Sequence, residues 1–327
     1  MSQPHNPYGK RPGGGITLPD YYRPTPGCSS NNFFPPNELL PKGEMRICFT
    51  GSTPWPPTLQ QSGTSIVLEL GNGTPFPRRL FFDFGNGCVK NIIQLGILPP
   101  MVRDIFNSHL HVDHYADLPY FMPFRAWSGG WRNGLRIFGP TGDRPETGTK
   151  YMVDKMHEMM TWHLENFDHC PIGVGYNTEV VEFDYKDEGG VVLEEPGLKV
   201  THWARSHVKN GASAYRVDWE EAGLSFVWTG DGRPDESTIK FAKGCDIFVT
   251  EGQADVPKLF NYKYGTPTEV LQFTIDSYQT PYYAAGDLMN EVRPRAGGIC
   301  HYAGIREGEG IAVRGAGWEG GCWWGGA

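Results

Sequence analysis

The chain has 327 residues, 39% of them hydrophobic and 20% charged, with a formal net charge of −8. That length and apolar share suit one sizeable α/β core with insertions rather than a fibrous or disordered chain. No apolar run approaches the roughly eighteen residues that cross a bilayer, and residues 1–15 lack the apolar stretch of a secretory signal; a cytoplasmic protein without a membrane partner is expected.

Residues 1–43, rich in Pro, Gly and Asn, read as an extended N-terminal segment. A single domain is expected over 44–301. Its first elements are short strands at Met45–Ser52, Ser65–Leu70 and Leu80–Gly87, the last ending in an Asp-x-Gly turn at Asp83. Arg103–Phe106 reads as a further strand, and Ala116–Pro119 opens a helical segment. Residues 115–172 read as an insertion, aromatic and glycine-broken in its first half. Its second half carries Met152, Met156, Met159, Met160 and Leu164 at helical spacing, a stripe assigned to core packing. Strands resume over 179–231, with a hairpin-like turn at Asp187–Gly190. The tail, 302–327, is Gly/Trp-rich and has neither strand nor helix period. Seven cysteines without a CxxC pair do not form a disulfide framework, and Cys48, Cys245 and Cys300 sit in apolar runs as buried thiols.

The densest chemistry lies in Asn107-Ser-His-Leu-His-Val-Asp-His114, which holds three of the ten histidines and an aspartate within six residues. Burying that many imidazole and carboxylate groups calls for a cation to organise them. On a strand ending at Asn107, His109 and His111 share a face, because side chains two apart point the same way. Asp113 and His114 then address a second position from the following turn. Two adjacent metals suit that pattern better than one.

His109-Leu-His-Val-Asp-His114 resembles the HxHxDH motif of the metallo-β-lactamase superfamily. The resemblance runs from about Tyr21 to His301 and implies a four-layer αββα sandwich with two metals at its edge. It assigns His207, in Ser206-His-Val-Lys-Asn-Gly211, as a third ligand to the first metal beside His109 and His111. Asp113, His114 and His301 would take the second metal, and Asp231, in Gly230-Asp-Gly-Arg-Pro234, would bridge both. The donor set implies two zinc ions, with manganese or iron as substitutes. Within the superfamily the chain is similar to the ribonuclease Z and arylsulfatase-like branch, and there to hydrolase-like proteins of guanitoxin biosynthesis. It is more loosely similar to hydrolytic O-demethylases of nitroaryl methyl ethers.

Two departures from that branch stand out. Where a histidine precedes the last ligand by some twenty residues, this chain has Tyr278 and Gln279. Gln279 can donate a hydrogen bond but transfers no proton at neutral pH, so Tyr278 performs the acid step or the leaving group departs unaided. Asp113 is a ligand or a base by the same resemblance. The second departure is the tail, where Trp323 and Trp324 suggest burial against a partner in a homo- or hetero-oligomer.

The function expected is a zinc-dependent hydrolase using metal-activated water on an aryl ester, aryl sulfate or electron-poor aryl methyl ether. Trp127, Trp131, Trp203, Tyr278, Tyr282 and Tyr283 are the rings that could stack on an aromatic substrate. The acidic balance, with no Lys/Arg cluster to displace counterions from phosphates, points to a small-molecule substrate and no nucleic acid. A metal-holding subunit that needs a catalytic partner is the alternative, and a phosphodiesterase is the third reading.

Overall fold

The structure is a computed structural model describing residues 39–54, 61–128, 134–167, 173–253, 257–258, 261–262 and 265–302. The Tyr21–Pro26 lead-in, Trp131 and the tail from 303 onward lie outside the described residues. The first sheet contains β1 (Met45–Gly51), β2 (Ser65–Leu70), β3 (Arg78–Phe82), β4 (Asp104–Phe106), β5 (Leu135–Pro140) and β6 (Thr178–Phe183), in that order. The second runs from β7 (Glu188–Glu195) at one edge through β8 (Leu198–Ala204), β9 (Ser213–Trp219), β10 (Leu224–Trp228) and β11 (Ile247–Glu251) to β12 (Ala296–Cys300). Each sheet is antiparallel in its β1–β3 or β7–β10 part and parallel in the remainder.

Alternation along the strands explains the layering. Leu68, Leu80, Phe82, Phe106 and Phe138 meet Val200, Tyr215, Val217, Phe226 and Trp228 between the sheets. The opposite faces are apolar too, as buried parallel strands require. Val67, Phe81, Ile105 and Ile137 pack under α1 (Cys88–Gln94), α2 (Leu118–Trp127) and α3 (Thr149–Met159), which is followed by α4 (Thr161–Asn166). Trp203, Val227 and Phe248 pack under α5 (Glu236–Ala242) and the helix Tyr282–Val292. The result is the expected four-layer αββα sandwich.

Several local expectations need correction. Residues 115–172 are not one insertion, because they contain β5, an interior strand paired on both sides. The methionine stripe does face a core: Met156 and Met160 are buried and Met152 packs against them, while Met159 is exposed. The turn at Asp184–Asp187 joins no hairpin; it carries the chain from β6, the edge of one sheet, to β7, the edge of the other. His202 lies beneath this crossing, fully buried against Phe183 at a ring separation of 4.0 Å.

Candidate metal centre

The polar side chains of interest leave the carboxyl ends of strands at one end of the sandwich, where open α/β sheets place their ligands. β4 ends at Phe106, where the expected Arg103–Phe106 strand ends, and His109 and His111 sit on the loop that follows rather than on a strand. Asp113 and His114 follow on the 3-10 turn Val112–His114. His207 follows β8, Asp231 follows β10, and His301 directly follows β12. The close approach of these loops requires glycine at two points. A Cβ on Gly85 would lie 2.1 Å from the Asp113 carbonyl oxygen, and one on Gly230 (φ +60°) 2.7 Å from Ser108 Cβ.

All seven candidate ligands converge. His109, His111, His207 and Asp231 offer ligand atoms within 4.8 Å of one another, as do Asp113, His114 and His301. Asp231 faces both groups, with Oδ1 3.4 Å from His114 Nε2 and Oδ2 3.2 Å from His301 Nε2 and 3.8 Å from His109 Nε2. His301 Nε2 also lies 3.3 Å from Asp113 Oδ2. The His207 Nδ1–H donates to the Tyr278 carbonyl oxygen at 2.8 Å, which assigns its Nε2 as a lone pair. That lone pair stands 3.2 Å from His111 Nδ1.

The charge balance favours added cations. Burial drives His109, His111 and His207 below the usual imidazole pKa, so these rings are neutral donors. Burial opposes charge at His114 and His301 as well, but Asp231 and the neighbouring carboxylates outweigh it and raise both, His301 to about 10. The buried His109 Nε2, His114 Nε2 and Asp231 Oδ1 have no hydrogen-bond partner. Orphan donor atoms of two kinds in one buried place are costly unless a positive ion fills it. The residues therefore fit a pair of metal ions.

Sequence reasoning left out the groups that hold this array. Asp83, fully buried and in the left-handed region (φ 59°), accepts from Ser108 N at 2.7 Å, Ser108 Oγ at 2.9 Å and Trp228 Nε1 at 2.8 Å, and faces His114 Nδ1 at 3.0 Å. It fixes the ring that presents Nε2 to Asp231, a carboxylate–histidine arrangement typical of metal sites. Its signal was the Asp-x-Gly at the end of an apolar strand. Glu251, also fully buried, accepts from Gly232 N at 2.6 Å and lies 3.5 Å from His301 Nδ1.

Gln279, oriented with its amide nitrogen inward, donates to both Glu251 oxygens at 2.9 and 2.6 Å. Its donors serve Glu251 rather than a reacting group, and Tyr278 reaches the cluster through its backbone. Of the aromatic residues expected near the cleft, Trp203 is fully buried in the outer core, bonded to Thr238 Oγ1 at 3.1 Å. Trp127 donates to Tyr176 Oη at 2.7 Å.

A sequence model described as "Metallo-beta-lactamase superfamily" matches residues 59–204, which contain the His109–His114 motif. Over those residues the chain is similar to that superfamily. Its curated relatives include ribonuclease Z of Methanothermobacter thermautotrophicus, 26% identical over 63% of this chain and 74% of that protein. Ribonuclease Z of Streptococcus equi subsp. zooepidemicus is 23% identical over 71% and 86%. Among solved structures, human tRNase Z, short form, superposes with a TM-score of 0.59 at 15% identity, covering 79% of this chain and 93% of that one. The metallo-β-lactamase fold protein YhfI of Bacillus subtilis gives 0.55 at 16% identity over 79% and 86%. At these identities the solved structures speak for the fold alone.

The ribonuclease relatives overturn the expectation of a small-molecule substrate with no nucleic acid. That expectation rested on net charge, and a formal −8 summed over 327 residues does not describe the local field at a cleft. Among the described residues no helix is long and apolar enough to cross a membrane.

Proposed function

We propose that the protein is a metal-dependent phosphodiester hydrolase of the ribonuclease type. His109, His111, His207 and Asp231 hold one cation; Asp113, His114, His301 and the shared Asp231 hold the other. The observation that carries this reading is the convergence of seven imidazole and carboxylate side chains within 4.8 Å groups, with His109 Nε2, His114 Nε2 and Asp231 Oδ1 left unpartnered. The ribonuclease Z relatives support a phosphodiester as the bond cleaved. An imidazole and carboxylate set without thiolate suits zinc.

A metal pair held by these residues would supply water activation near neutral pH and electrostatic stabilisation of charge growing on phosphoryl oxygens. The protein's own groups do the positioning. Asp83 and the Tyr278 carbonyl orient His114 and His207. Gln279 stands where an imidazole was expected and has no proton to give at neutral pH, so hydrolysis should slow steeply as the leaving group becomes more basic.

The test combines metal analysis with turnover. The expected result is two metals per chain and cleavage of bis(p-nitrophenyl) phosphate and of a structured RNA, both abolished in His111→Ala. Turnover of p-nitrophenyl esters, aryl sulfates or nitroanisole with no phosphodiester cleavage would sink the reading in favour of the aryl substrates.

A further inference from the structure

Two features on the loops next to the ligand residues take no part in holding the cluster. Arg233 lies two residues after Asp231, and its backbone N–H donates to the Ser206 carbonyl at 2.8 Å, beside His207. Its side chain is exposed, and among the described residues the guanidinium has no hydrogen-bond or ion-pair partner. Neighbouring cations are committed. Arg205 is buried and tied to Asp235, to Thr238 Oγ1 at 2.7 Å and to the Gly232 carbonyl at 2.9 Å. Lys209 grips both oxygens of Asp143 at 3.0 and 2.9 Å.

The second feature is a pair of rings. Tyr282 and Tyr283 open the last helix, just past Gln279, and are 46% and 58% exposed. The Tyr282 N–H donates to the Gln253 carbonyl at 3.0 Å, and Gln253 N to the Thr280 carbonyl at 2.8 Å. Thr280 Oγ1 in turn donates to the Gly232 carbonyl at 2.6 Å. The backbone beneath the rings is thus pinned to the loops bearing Asp231 and His301, while the rings themselves stand 5.7 Å apart at 79° in solvent.

We propose that Arg233 and the Tyr282–Tyr283 pair form a grip for single-stranded nucleic acid, an inference that rests on the ribonuclease reading. The guanidinium takes a backbone phosphate, and a tyrosine ring takes the face of an unpaired base. An uncommitted cation and exposed rings, on loops tied together through Gly232, Thr280 and Gln253, are what sequence-tolerant single-strand binding needs. Bases within a duplex offer no free face to such rings, so the strand entering the site should be unpaired.

Fluorescence anisotropy with a labelled single-stranded RNA of about 12 nucleotides, and with its duplex, tests this on the full-length protein as purified. Arg233→Gln should weaken binding and lower the slope of log K against log[salt] by about 0.7. Tyr282→Ala combined with Tyr283→Ala should weaken single-strand binding about tenfold and leave duplex binding as it was. The double phenylalanine variant, which keeps the ring faces, should restore it. Matching thermal midpoints establish that all variants fold.

Unchanged affinity and salt slope in the variants, or tyrosine losses equal on duplex and single strand, overturn the grip. Cleavage of the same strands, followed on gels, separates the two ideas. Variant-sensitive binding without cleavage removes the nuclease reading and keeps the grip; cleavage with variant-insensitive binding does the reverse.

Discussion

The two ends of the sandwich both bury acidic groups, yet they neutralise them differently. At the end away from the candidate metal centre, Asp104 is held by Arg136 Nε and Arg78 Nη1, both at 2.5 Å, and both arginines reach Glu195. Glu69 is clasped by Arg79 Nε at 2.7 Å and Arg46 at 2.6 Å. Guanidinium carries its charge at every relevant pH, so these acids are balanced once the chain folds. At the other end Asp83, Asp113, Asp231 and Glu251 face imidazoles, which burial keeps neutral at His109, His111 and His207. There the chain supplies ligands, and only His114 and His301 are pushed towards carrying charge themselves, so the balance is open to an added cation. Arginine closes an electrostatic account internally; histidine keeps it open to a cation.

Substitutions at each end should separate these roles. Asp231→Ala, which removes the carboxylate facing both ligand groups, should cut hydrolysis by at least about 100-fold, beyond the usual loss for supporting residues. Metal analysis should show fewer than two ions per chain. Asp83→Asn keeps the size but loses the charge held toward His114, and metal affinity should fall about 10- to 100-fold by competition with a chelating indicator. At the opposite end, Asp104→Ala leaves two partly exposed arginines to share Glu195. It should cost about 2 kcal/mol of stability in urea titration while metal content stays at the wild-type value.

The smallest effect concerns His202, which is fully buried with neither ring nitrogen bonded. Burial lowers its pKa to about 4, against weaker opposing pulls from Asp187 and Asp184. The folded state therefore resists a proton that the unfolded chain accepts near pH 6.5. Stability is full above that pH and declines as pH falls towards 4, by about 1 kcal/mol at pH 6 and about 2 at pH 5. Unfolding of His202→Leu should lack this component, and identical pH slopes in the two proteins would remove the explanation.

Much of this was legible in sequence because the decisive signals are local. His109 to His114 lie within one loop and turn, and the strands β1 to β3 announce themselves by apolar alternation ended at Asp83 and Gly85. The β5 strand was hidden because it is flanked by helical and aromatic segments on both sides. Its Leu135, Ile137 and Phe138 read as part of them. Asp83 stands in the Asp-x-Gly turn and Glu251 was not singled out, because their roles depend on partners such as Trp228 and Gly232 that only the folded chain brings near. The expectation of no nucleic acid failed because composition averages over the whole surface, whereas a cleft has a local field of its own.

One consequence follows from where β12 sits. Among the described residues it is the outermost strand of its sheet, paired to β11 alone, and His301 stands at its end with φ 55°, a conformation few non-glycine residues adopt. A peripheral ribbon of this kind should fray first, yet it carries the side chain that completes the centre. An ion seated on His301 would act as a rivet, fastening the periphery to the interior. Chelation should then speed amide exchange at Gly297–Cys300 well before the inner strands respond.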